Sequence, residues 1–221
     1  MKFKDVKLVS PNMHLIFGMH RTGKTAVGFD LLDRLHKETG KEVYIGLGEK
    51  TRRIEDVKGI PKYIHSWRDL LPPTDSIFYT CDAHRQFHAR KAMTNENTIL
   101  DTYHGTFAHD DVDYLYDTQL NSSIDRNFIM RAWYRWYKMP YALELEMGRS
   151  AIGQEVEDAQ RLLQGKDKTW VYLRGEESAG IYTGLVSDVP LPSYWCDDIS
   201  KMHRRGMSVK DVVKSKRWRI W

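Results

Sequence analysis

The chain has 221 residues, 41% of them hydrophobic, and carries 34 Lys and Arg against 30 Asp and Glu for a formal net charge of +4. This length suits one domain with a real core and at most a short appendage, and the mild basicity permits a nucleic-acid partner without demanding one. Two cysteines, Cys81 and Cys196, exclude a disulfide framework and a zinc-finger spacing.

Met1 is followed by Lys-Phe-Lys-Asp, without a signal-peptide apolar core, and no apolar run is long enough to cross a bilayer. A soluble protein of a reducing, cytoplasmic compartment is expected, able to dock on a larger assembly. Pro11-Asn12 marks a turn, and Leu15-Ile16-Phe17 reads as a buried strand. The segment Gly18-Met19-His20-Arg21-Thr22-Gly23-Lys24-Thr25 then has the spacing of a phosphate-binding loop. Its glycines let successive N–H groups face one concave spot, and a helix starting near Gly23 adds its positive end. Lys24 is placed to reach β- and γ-phosphates, and the Thr25 hydroxyl to hold Mg²⁺. Apolar residues through Leu35 continue that helix until Gly40, a natural stop.

Glu42–Gly46 is a second short strand, so strand, loop, helix and strand form a βαβ unit with a parallel sheet. Tyr63–His65 is a third. Pro72-Pro73-Thr74-Asp75 introduces a fourth, Ser76–Cys81. A nucleotide hydrolase needs acids where this strand ends, one for the Mg²⁺ shell and one to polarise the attacking water. Only Asp82 is present there. In one register Asp82 is the Mg²⁺-side acid and Ala83 fills the base position; in the favoured one Cys81 fills the first acidic place and Asp82 the second. A strand-end aspartate capping a helix is the plainer reading. His84 and His88 have the i, i+4 spacing of a helical metal pair, but no third ligand accompanies them and a solvated helix face is favoured.

Val112–Thr118 is an apolar strand ending in Thr118-Gln119. Gln119 is positioned either to sense a γ-phosphate or attacking water, or to satisfy a local turn. Phe128 to Tyr137 is expected as one helix, stopped by Pro140, with Trp133, Tyr134, Trp136 and Tyr137 interleaved with Arg131, Arg135 and Lys138. Such a pattern can stack single-stranded nucleic acid, but large aromatics more often go to a core or a subunit contact. Tyr141–Met147 alternates as an exposed strand does. Ile152–Gln164 is an amphipathic helix ending at Gly165, and 170–174 with 180–186 form a late hairpin. The expected division is an ATPase domain over 1–190 and a basic tail over 191–221. Its Leu191–Trp195 reads as a docking turn and Asp197-Asp198 as a helix start. The cations after residue 200 suit DNA phosphates, a solvated helix or a neighbouring subunit.

These landmarks together resemble the HerA/FtsK superfamily of P-loop ATPases, above all the genome-packaging ATPases of tailless double-stranded DNA viruses, archaeal ones included. Residues 18–25, 81–90 and 114–119 with 124–127 carry the likeness, which spans about 14–200. It is also similar to zonula-occludens-toxin-type phage morphogenesis ATPases. The resemblance implies an α/β, RecA-like fold with a mainly parallel central sheet flanked by helices. It implies ATP and Mg²⁺ as cofactors, and double-stranded DNA as partner of a homo-oligomeric ring, hexameric or pentameric. It further implies a capsid, portal or membrane component at the packaging vertex, and a location in the host cytoplasm or virion. By position, residues 18–25 bind nucleotide, Lys24 and Thr25 carry phosphate and Mg²⁺, and Asp82 is the general base or its surrogate. Gln119 is the γ-phosphate sensor and Arg126 the arginine finger, with Arg90 and Arg131 as alternatives. A small P-loop kinase and a nucleotide-dependent morphogenesis or export protein are the competing functions.

Overall fold

The computed structural model describes residues 1–47, 53–69, 71–81, 83, 108–119, 126–141, 152–175 and 183–201, without the side chains of Arg126, Asn127, Ser200 and Lys201. The described strands are β1 (Met13–Phe17), β2 (Glu42–Gly46), β3 (Ile64–Trp67), β4 (Ser76–Thr80), β5 (Val112–Thr118), β6 (Tyr134–Tyr137), β7 (Val171–Gly175) and β8 (Gly184–Val186). They form one sheet in the order β3-β2-β4-β5-β1-β6-β7-β8. Pairing is parallel from β3 through β6 and antiparallel for β6–β7 and β7–β8. The helices are α1 (Lys24–Thr39), α2 (Arg126–Arg131), α3 (Gly153–Leu163) and α4 (Asp197–Lys201). This is the α/β, mainly parallel, RecA-like arrangement expected.

Strands β1, β4, β5 and β6 are buried at every position, as parallel strands covered on both faces must be. One face packs Ile16, Tyr79, Leu115 and Trp136 against Val27, Leu31 and Leu35 of α1. The other packs Leu15, Phe17, Tyr116 and Tyr137 against Val156, Ala159 and Leu163 of α3. Each large apolar side chain so buried contributes about 1.5–3 kcal/mol. Helix α1 ends where Gly40 turns left-handed (φ 77°) and donates its N–H to the His36 carbonyl at 2.7 Å.

The stretch 128–137 is not one helix. Helix α2 stops at Arg131, and Tyr134–Tyr137 forms β6 between β1 and β7. Aromatic residues favour the pleated surface, and here both sheet faces are covered, so Tyr134, Trp136 and Tyr137 are buried with Arg135 between them, while Trp133 stays exposed. The cations beside them are committed internally. The Arg135 guanidinium grips Glu155 of α3 at 2.9 and 3.0 Å, and Lys138 donates to backbone carbonyls. The late hairpin is present as β7 and β8. Beyond it, Tyr194 and Trp195 set their rings against Phe29 of α1 at 6.3 and 6.1 Å, and the Tyr194 hydroxyl donates to Asp33 at 2.6 Å. The expected strand over 142–147, His84, His88, Arg90 and the basic residues beyond 201 lie outside the described residues.

At the sheet end remote from residues 18–25, the Lys41 ammonium meets Asp113 on β5 at 3.0 Å and Asp111 at 2.7 Å. Asp113 also accepts from the Ser10 hydroxyl and the Asn12 N–H. Burial pushes its carboxyl above the ordinary range, and the bonds from Ser10 and Lys41 work against that push.

Candidate phosphate-binding site

Residues 18–23 leave the C-terminal end of β1 and lead directly into α1, the position of ligand sites in parallel α/β sheets. Gly18 (φ 143°) and Gly23 (φ 95°) adopt backbone that side chains disfavour. At Gly18 there is also no room, because an added Cβ would lie 2.6 Å from Cβ of Lys138. The loop is braced there by the exit of β6: Lys138 N–H donates to the Phe17 carbonyl at 2.8 Å and Met19 N–H to the Met139 carbonyl at 2.9 Å. The Thr22 hydroxyl closes the loop onto the Met19 carbonyl at 2.8 Å, while His20 and Arg21 project to the exterior.

Lys24 is buried at the head of α1 and its Nζ donates to the Gly18 and Met19 carbonyls at 2.9 and 3.0 Å. The ammonium is thus held over the loop's own concavity, where it can exchange two carbonyls for phosphate oxygens. Thr25 directs its hydroxyl toward β5, with Oγ1 3.5 Å from Oδ2 of Asp117. That separation exceeds a strong hydroxyl–carboxylate bond. The same Asp117 oxygen accepts from the Tyr79 hydroxyl of β4 at 2.7 Å. Burial, Asp117 and Cys81 all push the Tyr79 phenol well above its ordinary range, so it keeps its proton and donates. Gly28 permits this bond: an added Cβ would stand 2.6 Å from the Tyr79 hydroxyl.

Strand register places the remaining residues. Phe17 pairs with Thr118, so Gln119, the residue after β5, lies at the level where the loop begins. Cys81 is buried in the core on the α1 side of the sheet, where it adds to the upward push on the Tyr79 phenol. Asp82 lies outside the described residues, as does the Arg126 side chain, although Arg126 begins α2 after β5. Reasoning from sequence passed over Asp117, Tyr79 and Lys138. Asp117 could have been found as the second of two acids in the run 112–118, two residues before the polar Gln119 and on the same strand face as Asp113.

Lys138 lies beneath the loop, its Nζ donating to the Lys168 and Trp170 carbonyls at 2.5 and 3.0 Å. Burial lowers its pKa to about 8. Among the described residues no three His, Cys, Asp or Glu side chains gather to cage a metal ion. The oxygen donors at Thr25 and Asp117 instead match the way Mg²⁺ is held, by one or two protein oxygens together with substrate phosphates.

No protein-family model and no curated protein sequence matches the chain. Solved structures do match its fold. The genome packaging NTPase B204 from Sulfolobus turreted icosahedral virus 2, in complex with AMPPCP, is similar with a TM-score of 0.58 at 12% identity, over 80% of this chain and 98% of that one. The pCW3 conjugation coupling protein TcpA with ATPγS is similar with a TM-score of 0.55 at 12% identity, over 87% of this chain and 64% of that one. ATPases 2 and 3 of EssC from Geobacillus thermodenitrificans give 0.50 at 11%, over 92% and 42%. The chain therefore has the fold of P-loop NTPases.

Proposed function

We propose that this chain hydrolyses ATP and uses the reaction to drive double-stranded DNA into a viral capsid. The observation that carries the reading is the convergence of Lys24, Thr25, Asp117 and Gln119 at the C-terminal ends of β1 and β5. Support for the finer claim comes from the fold it shares with a viral genome packaging NTPase solved with nucleotide.

In this reading the loop amides of residues 18–23 and the Lys24 ammonium bind the phosphates. The Thr25 hydroxyl would hold Mg²⁺, which would supply positive charge to the phosphates. Asp82 accepts the proton of the attacking water, and Gln119 orients that water or the γ-phosphate. Arg126 reaches the phosphates of a neighbouring subunit as arginine finger, which makes a homo-oligomeric ring, hexameric or pentameric, the working form. The ring threads DNA and docks on a capsid, portal or membrane component in the host cytoplasm, with the basic residues beyond 190 as the DNA- or subunit-facing segment.

The test is the ATPase rate of the purified chain with and without double-stranded DNA. Stimulation by DNA, absent in Lys24→Ala, is the expected result. Phosphate transfer to a small acceptor would identify a kinase instead, and nucleotide binding without turnover an assembly switch.

A further inference from the structure

The strand that ends at Thr80 is followed by a buried thiol, Cys81, which in the favoured register fills the place of a nucleotide hydrolase's metal-side carboxylate. A thiol is a poor partner for the shell of a hard cation. The strand between it and the phosphate loop offers what is missing. On β5, Asp113, Leu115 and Asp117 share the face turned to α1, since side chains alternate along a strand. Asp113 serves the Lys41 network at one end. Asp117, four residues on, stands at the other end beneath the first turn of α1, almost wholly buried, with Oδ2 at 3.5 Å from the hydroxyl of Thr25.

We propose that Asp117 is the acidic anchor of the metal shell at Thr25, in place of the acid that Cys81 does not supply, and that Tyr79 is the positioning residue that fixes its carboxylate. The proposal rests on the nucleotide reading of the loop and names the residue that holds its cation. Three contacts argue for it. The carboxylate is on the strand hydrogen-bonded to β1, so main-chain pairing of Ile16 with Asp117 sets its height relative to the loop. Its orientation is held by the 2.7 Å bond from Tyr79, a ring that is itself immobile in the core and edge-on to Phe29 at 5.6 Å. Its Oδ2 lies 3.5 Å from the Thr25 hydroxyl, which points its hydrogen at the acid and so keeps its oxygen lone pairs for a metal.

The assignment separates two acids by role: Asp117 for metal retention, Asp82 for water activation. Binding of a fluorescent, slowly hydrolysed ATP analogue to the full chain, followed as free Mg²⁺ is raised from an EDTA-buffered start, reads the first role without turnover. Asp117→Asn, nearly isosteric, is expected to raise the Mg²⁺ needed for half-maximal enhancement about 10-fold or more, the usual effect of losing an outer-shell carboxylate. Its metal-free binding should stay within about twofold of the parent, and Asp82→Asn should leave the Mg²⁺ requirement within about twofold, because neither removes a direct phosphate contact. An unchanged Mg²⁺ requirement in Asp117→Asn, or a loss carried by Asp82→Asn instead, overturns the assignment. If Asp117→Asn does not fold by circular dichroism, Tyr79→Phe carries the test. It keeps the carboxylate but frees its orientation, and a folded Tyr79→Phe with an unchanged Mg²⁺ requirement overturns the proposal. A parent chain that binds no analogue with or without Mg²⁺ overturns the nucleotide reading itself.

Discussion

The Tyr79 hydroxyl donates to Asp117 at 2.7 Å across two neighbouring parallel strands, passing under a helix at the one position, Gly28, that has no side chain. Gly28→Ala is therefore expected to destabilise the fold despite improving helix propensity by about 1 kcal/mol. The new methyl would meet the Tyr79 ring and hydroxyl at 2.6 Å, an overpacking that costs about 1–3 kcal/mol. Urea unfolding measures the net; a variant as stable as the parent would show that Tyr79 moves aside freely.

Lys24 donates to two loop carbonyls from its charged ammonium. Lys24→Ala should lower folding stability by about 1.5–3 kcal/mol, the net worth of a hydrogen bond to a charged group. The same change should abolish ATP turnover, whereas Asp82→Ala should leave nucleotide bound but uncleaved. Rate and equilibrium binding measured on both variants check this, and a normal rate in Asp82→Ala would move the base elsewhere.

His14 on β1 is wholly buried, stacked on Tyr134 at 4.3 Å and accepting at Nδ1 from the Trp136 indole at 3.3 Å. Burial, with Arg34 adding to it, lowers its pKa to about 3. The unfolded chain takes up this proton near pH 6.5 and the folded chain does not. Stability present above pH 6.5 is consequently lost as pH falls from 6.5 toward 3, by about 5 kcal/mol in all. His14→Phe should flatten that slope in denaturation curves taken across this range; an unaltered slope would assign it to other groups.

Lys41 sets its ammonium 3.0 Å from the buried Asp113 carboxylate. Lys41→Met strands that charge and is expected to cost about 3–5 kcal/mol at neutral pH. Asp113, already raised by burial, then rises further, so its proton returns as pH falls and the penalty shrinks. Unfolding of the variant at pH 7 and pH 4.5 distinguishes this from a loss that ignores pH.

Local grammar made much of the molecule readable. The run into Gly18, the helix from Lys24 and its stop at Gly40 all follow from backbone rules that act over a few residues. The stretch 128–137 misled because its rings carry no period: a strand covered on both faces buries Tyr134, Arg135, Trp136 and Tyr137 alike. Asp117 was hidden for a different reason. Its meaning depends on β5 lying between β4 and β1, a neighbour relation that no spacing along the chain encodes.

The Lys138 ammonium, whose Nζ lies 3.9 Å from where a Cβ on Gly23 would sit, forms a charged floor under the loop. Because its pKa is lowered to about 8 by burial, alkaline solution discharges that floor while the unfolded lysine stays protonated to about 10.5. Fold and ligand thus pull in opposite directions: raising pH from 8 relieves the buried charge and strengthens the fold, yet it weakens the attraction for a polyanion. Parallel titrations of melting temperature and ATP-analogue affinity should diverge over this range and stay level in Lys138→Met; matching trends in parent and variant would place the floor's charge elsewhere.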